Sequence, residues 1–202
     1  MFRKINKLSK MMAVIVVSLS TISCVTETIE SPNSMKFSQA SVISVSDPDF
    51  SIKKGSTFAW LPEAVNFYKD KRLENAPIKS LIEQKIVKNL RAKEMQMVES
   101  VNGARYAIAY TAALESALDD VAMVRRFGLM PGNSRVPTDD ANIEKGSLII
   151  YVFNNKTHDI VWRSAAQDGV KFDRTMQERK EMIEQIIGEM FLTFPVEKVS
   201  KQ

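Results

Sequence analysis

The side chains that most often carry out catalysis are scarce in this chain. It contains one histidine, His158, and one cysteine, Cys24, among 202 residues. A structural zinc site needs more such ligands, and a cysteine–histidine pair would need Cys24, for which the sequence predicts another use. His158 lies in a polar stretch between two strand-like runs, where a solvated turn histidine is expected. We therefore predict no metal site and no cofactor, and we do not expect an enzyme.

Asp119 and Asp120 are adjacent carboxylates, which could suggest an acid pair. Neighbouring residues on a helix point ~100° apart, so these two do not face one substrate bond. We interpret them, with Glu115, as a solvated acidic face. The sequence also lacks a phosphate-binding loop, a dinucleotide-binding glycine pattern, a paired-histidine metalloprotease motif and the nucleophile elbow of hydrolases.

Cys24 follows a segment with the three parts of a secretory signal. Residues 1–23 begin with four basic side chains, continue with the apolar run Met11–Leu19 and end with the small, mainly polar run Ser20–Ser23. The apolar run is shorter than the ~20 residues that a membrane-spanning helix needs. The arrangement resembles the bacterial lipoprotein signal, which is cleaved before a cysteine that carries lipid. The resemblance implies that Cys24 is acylated, for example with palmitate, and attaches the chain to a membrane.

An anchor of this kind holds a protein firmly on a membrane. Each buried methylene group contributes ~0.8 kcal/mol, so two or three acyl chains give stable attachment. The alternative for Cys24, which has no partner cysteine for a disulfide, is a buried and inert thiol. Val25 stands where the resemblance would place an aspartate for retention in the inner membrane. We therefore expect the chain on the periplasmic face of the cell outer membrane.

The charge of the chain gives no support to nucleic-acid binding. The formal charge of +4 comes from 28 basic and 24 acidic residues. Four of the basic residues and none of the acidic ones precede Cys24, so removal of the signal leaves 24 residues of each sign. Nucleic-acid-binding domains usually carry an excess of basic residues. The partners that we expect are the membrane, through the lipid anchor, and an envelope protein.

Composition divides the chain into four parts. Residues 1–23 are the predicted signal peptide, and residues 24–39 are the lipidated cysteine and a flexible tether. Residues 40–197 form a single domain, and residues 198–202 form a polar tail. Within the domain, apolar runs predict five strands, at Val42–Val45, Ser56–Trp60, Arg105–Tyr110, Ser147–Phe153 and Ile160–Ala165.

Two stretches of the domain show apolar residues at helical spacing. The first, after Pro77, carries Ile78, Leu81, Ile82, Ile86 and Leu90, and the last carries Met182, Ile183, Ile186, Ile187, Met190 and Phe191. Hairpins combined with two such helices predict an α+β fold. We expect an antiparallel sheet of about four to five strands, with the two amphipathic helices packed on one face.

The segment between Leu114 and Lys145 is the least regular part of the domain. Leu114, Leu118 and Val121 are spaced as on a helix, and a loop rich in apolar and basic residues follows. Long excursions between strands are often functional. We predict that this one contacts a protein partner, while the alternative is a loop that covers the sheet edge. The candidate partner-binding residues are Arg125, Arg126, Phe127, Leu129 and Met130.

Trp60 and Trp162 are candidates for stacking on a ligand such as a sugar. A tryptophan that ends an apolar strand more often packs in the core, so both interpretations stay open. Successive strand residues point to opposite faces of a sheet. If the helices cover the face of Trp162, Arg163 therefore lies on the open face.

Several of these motifs occur together in a known family. Thr57–Pro62, Gly146–Ile150, Ile160–Ala165 and Phe191–Pro195 follow one another as in the bacterial lipoproteins with domain of unknown function 4136. The chain resembles this family from Val42 to Pro195. The resemblance implies an α+β envelope domain and supplies no catalytic residues.

Two functions fit these observations best, and a weak hydrolase is a third and least favoured hypothesis. The first is a non-enzymatic binding or assembly module of the bacterial envelope, anchored to the outer membrane. The alternative is a lipoprotein that binds a small ligand in a pocket between the sheet and the helices. A flat face or an open edge strand would favour the first, and a deep apolar pocket lined by a tryptophan would favour the second.

Overall fold

The computed structural model describes residues 40–73, 77–133 and 135–197. The predicted signal peptide, Cys24, the tether and the polar tail lie outside these residues. Within the described residues, no helix is long and apolar enough to cross a membrane.

The described residues form one mixed sheet of seven strands. The strands are β1 (Ser41–Ser46), β2 (Thr57–Trp60), β3 (Asn66–Phe67), β4 (Gln96–Met97), β5 (Tyr106–Leu114), β6 (Ile143–Asn154) and β7 (Ile160–Lys171). Their order is β1–β7–β6–β5–β2–β4, and β3 also pairs with β5. The long strands β5, β6 and β7 and the edge strand β1 are antiparallel, whereas β2, β3 and β4 are parallel to their neighbours.

Three α-helices accompany the sheet, α1 (Ile78–Ala92), α2 (Asp120–Phe127) and α3 (Met176–Met190). Helix α1 follows Pro77, whose fixed φ suits a helix start. Helix α3 begins with a capping box, in which Thr175 and Glu178 satisfy each other's backbone amides. It ends at Met190, and a short 3-10 turn at Phe191–Thr193 follows before Pro195.

The main core lies between the sheet and the apolar faces of α1 and α3. Ile82, Ile86 and Leu90 of α1 and Ile187 and Met190 of α3 are buried there, as their spacing predicts. They pack on sheet residues that alternate along the central strands, among them Tyr106, Ile108, Ile150, Val152 and Trp162. The prediction of two amphipathic helices on one face of an α+β domain is therefore confirmed in its general form.

A smaller core lies on the opposite face of the sheet. There, Ala109, Ala113 and Ile149 contact Leu118, Met123 and Leu129 from the segment that includes α2. Gln167 of β7 fixes this segment by polar contacts. Its side-chain amide donates to Asp120 at 2.7 Å and accepts from the backbone of Gly132 at 2.9 Å.

Two expectations about the fold, and one alternative that the sequence left open, are wrong. The sheet is mixed and has seven strands, because the short strands β2, β3 and β4 pair in parallel. The helix in the excursion begins at Asp120 rather than near Leu114, which ends β5, and Val121 is 66% exposed. The excursion covers a face of the sheet rather than its edge.

Asp119 and Asp120 do not form the solvated acidic face that the sequence predicts. Asp119 caps the start of α2 by accepting from the backbone of Ala122 at 2.7 Å. Asp120 pairs with Lys145 at 2.8 Å and with Gln167, so it is a structural contact rather than part of a solvated face.

Candidate functional site

An apolar groove lies between the sheet and helices α1 and α3. Its volume is about 140 Å³. Small residues of the central strands form its floor, Ala112 of β5, Gly146 of β6 and Ala166 of β7. At the other end of the same strands, the large side chains of Tyr106 and Trp162 fill the space beneath the helices. The groove therefore exists because the sheet changes from large to small residues along its length.

The groove combines apolar walls with a charged lining. Ile78 and Ile82 of α1 and Met182, Ile183 and Ile186 of α3 supply apolar walls, and the charged residues are Asp168, Lys171, Arg174 and Arg179.

The two arginines are positioned by backbone carbonyl groups. Arg174 donates to Gly169 at 3.2 Å, and Arg179 donates to Phe172 at 2.6 Å and to Arg174 at 3.0 Å. Burial lowers the pKa of the Arg174 guanidinium.

A second concave surface lies on the opposite face of the sheet, beside the last turn of α2. We call it the α2 hollow, and its volume is about 250 Å³. It is open because α2 ends at Phe127 and leaves part of this face uncovered. Its lining consists of Ala64, Asn66, Thr111, Arg126, Phe127, Tyr151, Phe153, Ile160 and Arg163.

Three aromatic rings run across the α2 hollow. The ring centroids of Phe127 and Tyr151 are 5.6 Å apart, and those of Tyr151 and Phe153 are 6.1 Å apart. The hydroxyl group of Tyr151 donates to Thr111 at 3.2 Å. Burial raises the pKa of the Tyr151 phenol, so this group stays protonated at physiological pH.

Two arginines lie among these aromatic residues. Arg163 donates to the carbonyl oxygen of Phe127 at 2.8 Å, and Arg126 donates to the hydroxyl group of Tyr68 at 3.1 Å. A guanidinium group can bind a carboxylate through two parallel hydrogen bonds. Arginine and aromatic side chains are also enriched among residues that dominate protein interfaces. The hollow therefore places two guanidinium groups beside aromatic side chains.

The five residues that we predicted to bind a partner do not lie on one common surface. Arg126 and Phe127 line the α2 hollow, whereas Arg125 is exposed on the same helix outside that lining. Met130 is exposed as well. Leu129 is only 4% exposed, so its predicted place on a contact surface is wrong. It packs in the smaller core, because the chain turns inward after Gly128.

The two tryptophans do not form a ligand platform. Trp162 is completely buried and packs against Phe191 and Phe194, so the stacking interpretation is wrong for it. Trp60 is half-buried beside Tyr110, with ring centroids 6.0 Å apart. Neither residue is part of the lining of the groove or of the hollow.

Arg163 lies on the face opposite α1 and α3, as its position after Trp162 predicts. The same alternation places Tyr151 and Phe153 on that face, so both could have been predicted from the sequence. Asn66 and Thr111 could not, because only the pairing of β3 with β5 brings them together. Among the described residues, no group of three or more potential protein ligands is placed to hold a metal ion.

A family model shows what this domain is related to. The model of the domain of unknown function DUF4136 matches residues 42–196. The chain belongs to the DUF4136 family. This confirms the resemblance that the strand and helix motifs indicate. No curated protein matches the chain.

Solved structures with a similar fold are distant from this DUF4136 protein. The PelC dodecamer of Paraburkholderia phytofirmans is 9% identical, with a TM-score of 0.48, over 79% of this chain and 99% of that chain. A DUF4136 family protein of Bacteroides thetaiotaomicron is 16% identical, with a TM-score of 0.44, over 77% and 95%. A minor lipoprotein of Acinetobacter baumannii is 9% identical, with a TM-score of 0.34, over 67% and 89%. Similarities this distant carry no information about the activity of this chain.

Proposed function

We propose that this DUF4136 protein is a lipid-anchored, non-enzymatic binding module of the bacterial envelope. Cys24 carries the anchor, and residues 25–39 link it to the domain on the periplasmic face of the outer membrane. The three-part signal segment before Cys24 and the lone cysteine support this location.

The observation that carries the binding role is the composition of the α2 hollow. Arg126 and Arg163 come from distant parts of the chain and meet around Phe127, Tyr151 and Phe153. Ile160, at the start of β7, adds an apolar side chain that is 48% exposed. An apolar centre with arginine beside it is typical of the energetic core of a protein interface. The partner that fits is an envelope protein with an acidic, partly apolar segment.

Membrane anchoring makes a small hollow sufficient for this role. A tethered domain meets partners on its own membrane at a high effective concentration. Even a weak contact then leads to substantial occupancy, and the hollow need not have the area of a permanent interface.

Charge reversal on α2 tests the proposal with a matched control. Arg126→Glu should remove a specific cross-linked partner in cells, because it places a negative charge in the hollow. Arg125→Glu makes the same charge change one residue away, outside the lining, and should leave the partner in place. Both variants should fold, because both side chains are exposed.

The two outcomes separate the proposal from its alternatives. Equal loss of the partner in both variants would show that general surface charge, not the hollow, controls binding. Retention of the partner in both would place the contact elsewhere on the domain, for example along the open edge strand β1.

The apolar groove favours a second function, the binding of a small ligand between the sheet and the helices. Its concave shape and apolar walls are typical of small-molecule sites. This role is compatible with the first, because the groove and the α2 hollow lie on opposite faces of the sheet.

A further inference from the structure

The size of the groove limits what it can hold. At about 140 Å³ it is close to the engineered cavity of ~150 Å³ in another protein that binds benzene. It therefore accommodates roughly six carbon atoms. The walls come from Ile78 and Ile82 on one side and Ile183 and Ile186 on the other. An apolar groove of this volume suits an alkyl chain better than a polar molecule.

The charged residues indicate what the other end of the ligand carries. Lys171, Arg174 and Arg179 line the groove with a single carboxylate, Asp168. Asp168 accepts a hydrogen bond from the backbone of Gly169 at 2.8 Å. Within the lining, three cations stand beside one carboxylate, and Asp173 and Glu178, which are outside the lining, also act on Arg174.

The arginines are held in place before any ligand binds. Arg174 is fixed by Gly169 and by the sulfur atom of Met182, and Arg179 is fixed by two backbone carbonyl groups. A guanidinium group has five N–H donors, and the bonds named here use only some of them. Positioned donors bind an anion at a lower entropic cost than mobile ones. Burial lowers the pKa of Arg174, while the charges of Asp168, Glu178 and Asp173 act in the opposite direction.

From this arrangement we infer that the groove binds a single-chain anionic amphiphile, with the end of its alkyl chain on Ala112 and Ala166 and its anionic group at Arg174, Arg179 and Lys171. The inference rests on the second function, ligand binding in the groove, and adds the chemical class of the ligand. A carboxylate and a phosphate would meet the same donors.

The test measures binding of decanoate and of decanol to the chain from residue 24 onward, with Cys24→Ser so that no detergent is needed. Titration calorimetry should give at least tenfold tighter binding of decanoate, because only decanoate has a charge for the arginines. A series from butanoate to decanoate should gain about fourfold in affinity per methylene until the groove is full. Octyl phosphate in the same assay distinguishes the two anionic groups.

Variants locate the binding to the groove. Lys171→Gln, at an exposed position, and the double variant Arg174→Gln with Arg179→Gln should reduce the preference for decanoate. Ala166→Leu should weaken both ligands by filling the floor. Arg125→Gln, on the opposite face, should change neither. Because the arginines also hold the backbone, Lys171→Gln keeps the test decisive if the double variant unfolds.

The possible results separate the ligand class from the ligand-binding function. Equal binding of decanoate and decanol, both weakened by Ala166→Leu, would leave a ligand-binding groove and overturn the anionic class. Absence of binding by either probe to the folded chain would overturn both the class and the function. Binding that Ala166→Leu and Lys171→Gln do not change would also overturn the inference, since the ligand would then lie elsewhere.

Discussion

The guanidinium group of Arg163 donates a 2.8 Å hydrogen bond to the backbone carbonyl of Phe127. This bond joins the end of α2 to the first half of strand β7. It satisfies one of the carbonyl groups that the end of a helix leaves without a helical partner. The same contact places Phe127 beside Tyr151, and thereby forms one wall of the α2 hollow.

Removing the guanidinium group should loosen α2 without unfolding the domain. Arg163→Ala should cost about 1.5–3 kcal/mol in the free energy of unfolding, the usual range for a hydrogen bond to a charged group. Amide hydrogen exchange should accelerate in the last turn of α2. Arg125→Ala, which removes an exposed arginine from the same helix, should leave the exchange unchanged. An unaltered exchange rate in Arg163→Ala would mean that the bond does not hold α2 in place.

Substitution by alanine should change the stability of the domain in opposite directions at two glycines. Gly128 follows α2 with φ of 62°, a left-handed conformation that alanine adopts at a cost, so Gly128→Ala should destabilise by ~1 kcal/mol. Gly188 lies inside α3 with open space at its Cβ position, so Gly188→Ala should stabilise by ~0.5–1 kcal/mol. Chemical denaturation measures both changes. Stabilisation by Gly128→Ala would contradict the conformation described for this turn.

The last helix offers a direct test of the main core. Ile187 is completely buried, so Ile187→Ala should destabilise the domain by roughly 2–5 kcal/mol through lost packing and a cavity. Leu192 is 80% exposed just beyond the same helix, and Leu192→Ala should change stability by less than ~0.5 kcal/mol. Similar melting temperatures for the two variants would mean that α3 does not pack on the sheet as described.

The ion pairs of Glu184 between α1 and α3 should make the stability of the domain depend on pH. Hydrogen bonds from Lys85 and Lys88 lower the pKa of Glu184 to about 2 from its ordinary 4.5. A lowered folded pKa stabilises the fold above pH 4.5, and this contribution is lost as the pH falls towards 2. Glu184 is 40% exposed, so the contribution is ~0.2–1 kcal/mol. The melting temperature of Glu184→Gln should be lower than that of the unchanged protein at pH 7, and this difference should become smaller below pH 4.5. A difference in melting temperature that stays constant with pH would contradict the assignment.

The parts of the fold that follow from local pattern could be predicted from the sequence. The apolar runs of β5, β6 and β7 and the stripes of α1 and α3 are long enough to fix their own type and buried face. The parallel strands β3 and β4 have two residues each, too few for any periodicity, and only pairing with distant residues defines them. This is why a mixed sheet was not predicted.

The candidate sites depend on the same distinction. Alternation along β7 places Arg163 on the face opposite α1 and α3, and Arg126 and Phe127 were candidates from the excursion, so three residues of the α2 hollow were within reach of the sequence. Leu129 resembles an exposed loop residue until the contact of α2 with the sheet buries it. The groove depends on Ala112, Gly146 and Ala166, which come from three different strands. Small residues produce no pattern along a sequence, so a space above them becomes visible only when the strands are assembled.

The lipid anchor has its own test, independent of the domain. Cys24→Ala should abolish labelling with palmitate and either release the domain into the soluble periplasmic fraction or leave the precursor uncleaved. The acyl chains are the proposed source of membrane attachment, so nothing else should retain the processed chain. Fractionation with the outer membrane and continued labelling of the variant would contradict a role for Cys24 as the anchor.

The central claim is that the α2 hollow is the partner-binding surface, and in-cell photo-cross-linking tests it most directly. A photoreactive residue at Ile160, which lines the hollow, should give a specific cross-linked product that disappears when Arg126→Glu is added. The same residue at Val121, which is exposed on α2 but is not part of that lining, should give no such product. A product at Val121 but not at Ile160, or a product at Ile160 that Arg126→Glu leaves unchanged, would contradict the assignment.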